Sequence, residues 1–147
     1  NVIKFKDRIA GCGGFVNITQ NTHKVVFCGT FTAKGLREEI RDGKLVITHE
    51  GAVQKFIDKV GQITFSAEYA HNPNQQVMFI TERCVFVLTD KGLVLTEIAP
   101  GVDLQKDILD QMEFVPHIAE NLTTMDERLI RDEPMGLAQD IFEQQAG

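Results

Sequence analysis

The stretch GCGGFVNITQNTHKVVFCGTFTAKG, Gly11 to Gly35, opens with three glycines around Cys12 and continues in an apolar and polar mixture able to start a helix. It then reaches KVVFCG, Lys24 to Gly29, a β-branched and aromatic run ending in glycine, which is the pattern of a buried strand. A glycine turn, a helix, a strand and a second glycine-bounded loop in that order imply an α/β fold, an open sheet with flanking helices. In open sheets of this kind ligands sit beyond the carboxyl ends of strands. Two turns are singled out: the one after the strand-like NVIKF, holding Gly11, Gly13 and Gly14, and GTFTAKG, Gly29 to Gly35.

Outward from there, KLVITHE (Lys44 to Glu50) and ITFSAEYA (Ile63 to Ala70) set apolar against polar residues as strands with one wet face do. Between them VQKFIDKVG places Val53, Phe56, Ile57 and Val60 at helical spacing, but Gly61 cuts the run short, so helix and strand both fit. HNPNQQ (His71 to Gln76) is a turn by composition, and VMFITERCVFVLTDKGLVLTEIAP reads as strands broken at Asp90-Lys91-Gly92, a hairpin or meander. Asp103 can cap a helix over DLQKDILDQM, where Leu104, Ile108 and Met112 repeat every four residues. A last helix is expected after Pro134, with Leu137, Ile141 and Phe142 as its apolar stripe.

A length of 147 residues suits one domain or a piece of one. The chain opens on Asn1 in a strand-like run, so part of a longer polypeptide is expected. A formal net charge of −6 weighs against a protein that tracks nucleic-acid phosphates. Cys12, Cys28 and Cys84 are odd in number and widely spaced, which suggests free thiols in a reducing cytoplasm and no disulfide framework. No apolar run approaches the ~20 residues that span a bilayer, so no membrane partner is expected.

Glycines tolerate positive φ and let backbone N–H groups come close to a ligand oxygen, and a helix opening there adds the positive end of its dipole. Such a turn can hold an oxyanion. Its spacing matches neither GxxxxGK[ST] nor GxGxxG, and on spacing alone a tight strand-to-helix connection explains it as well. Cys12 as a nucleophile, with His23 or His49 as base, lacks any local cysteine-hydrolase signature. Cys28, Cys84, His71 and His117 lack metal-ligand spacing, so no metal is expected. Glu38, Glu39, Glu82 and Glu97 read as solvated or salt-bridged carboxylates, and the mixed-sign DERLIRDE, Asp126 to Glu133, as an exposed face or subunit contact.

Several separate motifs, in order, carry a resemblance. GCGGFVNITQNTHKVVFCGTFTAKG, GQITFSAEYA, VMFITERCVFVL and KGLVLTEIAPGVDLQKDIL are similar to the carboxyl-terminal part of family I coenzyme A transferases, over roughly Asn1 to Arg131. The single-chain acetate or propionate type, which takes short-chain acyl-CoA, matches best. The resemblance implies a CoA-transferase-like (Rossmann-like) sheet. It also implies movement of CoA between carboxylic acids through a mixed anhydride and a glutamyl-CoA thioester, with backbone amides of a glycine turn on the tetrahedral oxyanion. On that footing Gly13 and Gly14 supply the amides, Gly11, Phe15 and Lys34 contact substrate or CoA, and CoA is a substrate with no further cofactor. The family's nucleophilic glutamate lies in an S-E-[NS]-G-like stretch upstream of the glycine turn, and no Glu from Glu38 to Glu143 has that setting. Residues 1–147 are therefore expected to be a single or partial domain, the carboxyl-terminal segment of a homo-oligomeric enzyme whose upstream portion brings the nucleophile. The alternative is a non-catalytic α/β binding or assembly module that uses the glycine turn only for packing.

Overall fold

The computed structural model describes residues 4–5, 8–9, 11–66 and 75–146. In chain order the elements are β1 (Lys4–Phe5), β2 (Arg8–Ile9), α1 (Gly13–Asn21), β3 (Lys24–Cys28), β4 (Thr32–Ala33), β5 (Arg37–Arg41) and β6 (Lys44–His49). They continue with β7 (Val53–Gln54), β8 (Gln76–Ile80), β9 (Cys84–Thr89), β10 (Gly92–Ile98), β11 (His117–Thr124) and α2 (Leu137–Ala146). A five-stranded sheet in the order β11-β10-β9-β8-β3 forms the centre, and β1–β2, β4–β7 and β5–β6 make two-stranded pairs.

The sheet is mixed. β3 runs parallel to β8, with Val25 opposite Val77 and Phe27 opposite Phe79. The meander β8-β9-β10 is antiparallel, and β11 returns parallel to β10. Its first reversal is locked by Thr81, whose hydroxyl accepts from the amides of Arg83 (3.2 Å) and Cys84 (3.1 Å). The second falls at Asp90-Lys91 with Gly92 at φ 99°, as the sequence implies. Phe31, Leu45, Phe86, Leu95, Ile108 and Met112 belong to the larger buried cluster, and Val25, Phe65 and Val77 form a smaller one. Phe79 packs against both.

Three expectations change. The segment from Asp103 to Met112 is not one α-helix: a wide π-type turn over Leu104–Ile108 passes into a 3-10 turn over Leu109–Gln111. Asp103 caps it as expected, accepting from the Lys106 amide at 2.7 Å. The regular ladder fails because its carbonyls have other donors: Arg83 takes the Asp107 carbonyl at 2.7 Å and the Gln111 side chain takes that of Lys106 at 3.2 Å. Val53 to Gly61 becomes neither helix nor long strand. After β7 it is held from a distance by Glu113, whose amide donates to the Phe56 carbonyl (2.9 Å) and whose carboxylate accepts from the Asp58 amide (3.0 Å). Ile63 to Ser66 is irregular, with Phe65 buried, and the remainder of that expected strand, together with residues 71–74 of the expected turn, lies outside the described residues.

α2 forms after Pro134 as expected, but Leu137, Ile141 and Phe142 stay exposed at 51–70%. In DERLIRDE the charges fold inward on the chain itself: Arg128 donates to Asp126 (2.6 Å), to Asp140 of α2 (2.6 Å) and to the Met135 carbonyl (3.0 Å).

Candidate functional site

The glycine turn leads straight into α1. Cys12 is the capping residue and its carbonyl accepts from the Val16 amide at 2.9 Å, but its side chain makes no capping hydrogen bond. The first amides of a helix have no partner within it, and no acidic side chain stands in this first turn. Gly11, Gly13 and Gly14 are exposed. Positive φ is not what they contribute: the glycines in that region are Gly35, Gly43, Gly92, Gly101 and Gly136, whereas Gly13 and Gly14 are helical. The expectation of a left-handed turn there is corrected. A methyl group added at Gly13 or Gly14 would meet no described atom within 4 Å, so no described residue crowds the turn.

Beside the turn is a cleft of about 270 Å³. Its floor is the carboxyl ends of the parallel pair: Cys28 at the end of β3 with Gly29 and Thr30 after it, and Ile80 at the end of β8 with Thr81 after it. The walls are aromatic. Phe15 from α1 lies 5.8 Å, centroid to centroid, from Phe27, which stacks on Phe79 at 4.9 Å, and Phe56 also lines the cleft. Lys55 is the cation of the lining; its Nζ donates to the Thr30 hydroxyl at 3.3 Å.

An ion cluster braces the loop that follows. Arg83 is fully buried, with both Nη atoms on the Glu50 carboxylate at 2.8 Å, Nε on Glu82 at 3.0 Å, and its guanidinium carbon 5.1 Å from the Phe31 ring centroid. The other Glu82 oxygen accepts from the Phe31 amide at 2.8 Å. Burial works against charge on Glu50, but hydrogen bonds from Arg83, Thr32 and the Gly51 amide outweigh it and bring its carboxyl down to about 2. Burial pushes the Cys84 thiol up to about 12, so this cysteine is an inert core side chain.

The structure thus gathers Gly11, Gly13, Gly14 and Phe15 on one turn, and Phe15 lines the cleft. Lys34 does not line it. It occupies an exposed turn at φ 60°, its carbonyl accepting from the Ala52 amide at 3.0 Å. Sequence reasoning missed Lys55 and Phe56, which lie in the very stretch where helix and strand fitted equally; the glycine-bounded GTFTAKG loop was the legible signal for Gly29 and Thr30. Glu82 is salt-bridged, as its neighbourhood suggested. Among the described residues no group of three or more His, Cys, Asp or Glu is placed to hold a metal ion, and no helix is long and apolar enough to cross a membrane.

No family model matches the chain. Among curated proteins it is 54% identical over 135 residues to the acetate CoA-transferase YdiF of Escherichia coli (strain K12), covering 92% of this chain and 25% of that protein. It is 51% identical over 142 residues to the caffeate CoA-transferase of Acetobacterium woodii, covering 93% of this chain and 25–27% of these relatives' lengths. Among solved structures, the acyl-CoA transferase YdiF of Escherichia coli O157:H7, crystallised as a thioester complex with CoA, superposes with a TM-score of 0.88 at 54% identity. That match covers 92% of this chain and 27% of the other, and the apoenzyme of the same transferase gives the same TM-score. The chain spans about a quarter of the length of the relatives it matches.

Proposed function

We infer that a chain belonging by sequence and fold with the family I CoA-transferases carries part of that family's reaction, the transfer of CoA between an acyl-CoA and a free carboxylate. The observation that supports this most is the 54% identity and 0.88 TM-score to a transferase caught as its CoA thioester. Residues 1–147 are the carboxyl-terminal segment, and a glutamate in the upstream portion of the same enzyme is the nucleophile. Its carboxylate attacks the thioester carbonyl, the tetrahedral oxyanion collapses to a mixed anhydride, and CoA leaves as the thiolate. The thiolate then attacks the glutamyl carbonyl, releasing the first acid and leaving a glutamyl-CoA thioester, and the second acid reverses the sequence.

Each tetrahedral oxygen needs donors that are already aimed. The amides of Gly13 and Gly14, at the start of a helix with no acid in its first turn and no described residue crowding it, suit that task. Gly11 and Phe15 flank the reacting group, and exposed Lys34 is available to the phosphates of CoA. The acids are short-chain carboxylates, the enzyme is a cytoplasmic homo-oligomer, and CoA enters as substrate with no other cofactor. Free cysteines at three positions support the compartment.

Incubation of the intact enzyme with acyl-CoA followed by borohydride reduces a glutamyl thioester and marks the residue. The expected mark lies upstream of Asn1, and the isolated 147-residue chain turns over no substrate until mixed or fused with that portion. A mark between Asn1 and Gly147, or turnover by the isolated chain, overturns the assignment.

A further inference from the structure

The cleft beside Phe15 has a composition that separates two parts of an acyl-CoA. Its two threonine hydroxyls are already engaged. The Thr81 hydroxyl serves the Arg83 and Cys84 amides and donates to the Cys84 carbonyl at 3.1 Å. The Thr30 hydroxyl donates to the Thr32 carbonyl at 2.7 Å and accepts from Lys55. A pantetheine arm brings two amides and a hydroxyl, each of which loses its water on entry and needs a partner there. This lining has few to offer. What it does offer is ring face: Phe15, Phe27 and Phe79, with Ile80 at the floor. Its 270 Å³ also falls just below the ~300–1,000 Å³ of sites that take drug-sized ligands. A hydrocarbon tail of a few carbons, or one aromatic ring, suits both the chemistry and the size.

Resting on the transferase reading above, we propose that this cleft is the acyl subsite: it takes the hydrocarbon part of the carboxylic acid, and Lys55 at its edge attracts the free carboxylate. The geometry separates the two roles. The apolar walls act on acid and thioester alike, because both carry the same tail. The lysine acts on the free acid, because only that form is an anion at the reacting end. Phe15 follows Gly14 directly, so the cleft borders the glycine turn, and in this proposal the carboxyl end of the tail is the end that faces it. A pocket that reads hydrocarbon discriminates by roughly 10–200-fold per methylene gained or lost, so chain-length preference is where the cleft leaves its mark.

Two variants of the intact enzyme test this. Val60 lines the cleft and is 39% exposed at its rim, so Val60→Trp fills space without entering the core. Its kcat/KM for butyrate and hexanoate should fall at least about tenfold relative to that for acetate, with KM for acetyl-CoA as donor unchanged. Lys55→Met should raise KM for every free acid about tenfold while KM for the acyl-CoA donor holds, with Lys55→Arg restoring much of the loss. Equal losses for acetate and hexanoate in Val60→Trp, or a rise in KM for the acetyl-CoA donor in place of the acids, overturn the acyl assignment in favour of a pantetheine channel. Calorimetric binding of hexanoate to the wild type and to Val60→Trp reads the cleft without turnover: at least tenfold weaker binding to the variant supports the proposal, and equal binding or none to the wild type overturns it. Absence of CoA transfer to any acid by the wild type, with hexanoate still bound and still weakened by Val60→Trp, sinks the transferase reading while leaving the subsite standing.

Discussion

Replacing Arg83 by Met keeps much of the side-chain volume and removes the guanidinium at the centre of the loop-bracing cluster. The residue is fully buried, so its charge is supported entirely by what touches it: two bonds to Glu50, one to Glu82 and one to the Asp107 carbonyl. Bonds to charged groups contribute about 1.5–3 kcal/mol each when deleted singly, but these four share one cation and do not add. The better guide is the cost of breaking a buried ion pair from one side, about 3–5 kcal/mol, most of it the penalty on the carboxylates left behind. At roughly 2–4 °C per kcal/mol for a cooperative unit near the size of this segment, the melting transition of the segment should fall by about 10 °C. Acid gives the second reading. The folded Glu50 carboxyl sits near 2 against an ordinary 4.5, a depressed value, so its stabilisation is present above 4.5 and fades as pH falls toward 2. The gap between wild type and Arg83→Met should therefore narrow as pH drops through that window. Scanning calorimetry of the intact enzyme across the acid range measures both, and Arg83→Met with Glu50→Gln should recover part of the loss. A drop of less than about 3 °C at neutral pH, or a gap that does not change with pH, refutes the view that this cluster braces the loop.

Gly14→Ala should leave melting unchanged or slightly raised, since the residue is helical and Ala gains about 1 kcal/mol over Gly in a helix. Turnover of the intact enzyme should nonetheless fall by roughly a hundredfold to a thousandfold if the Gly13–Gly14 amides hold the oxyanion and the methyl blocks its approach. Cys12→Ala should keep near-normal turnover; a dead cysteine variant beside an active glycine variant reverses the assignment. Gly51→Ala should do the opposite of Gly14→Ala, because its methyl would lie 2.5 Å from the Thr32 hydroxyl and 2.6 Å from the Ala33 carbonyl. A melting loss worth about 1–3 kcal/mol is expected, and an unaffected melt would show that β4 can move away freely.

The sheet was legible where strand composition and turn chemistry agree. KVVFC, QVMFI, CVFVLT and GLVLTEI are runs of β-branched and aromatic residues bounded by turn residues, and all four are strands of the central sheet. β5 was not legible, because REEIR is exposed along its whole length and pairs with β6 only through the Asp42-Gly43 turn, at φ 50° and 68°. β11 was missed for a related reason: HIAENLTT carries little apolar signal, and its pairing with β10 is a parallel contact that no local pattern announces. The helix expected from Asp103 failed because Arg83, twenty-four residues away in sequence, takes one of its carbonyls.

The candidate site divides along the same line. The glycine turn and the Gly29 loop follow from strand-end logic and residue size, so both could be named from the chain alone. Lys55 could not, since it reaches the cleft only because Glu113 holds Phe56 and Asp58 from a distant part of the sequence. The glycines show why local signals need sorting by what surrounds them. Gly51 and Gly101 are small because neighbouring backbone leaves no room: a methyl at Gly101 would lie 2.8 Å from the Leu45 carbonyl. Gly13 and Gly14 are crowded by no described residue and have ordinary helical geometry, so nothing among the described residues requires glycine there. In a helix, glycine costs stability relative to alanine. A pair of them at a helix start that no described residue crowds, beside an aromatic cleft at the ends of two parallel strands, fits the proposal that a group from outside this chain, an oxyanion and an upstream carboxylate, approaches closely there.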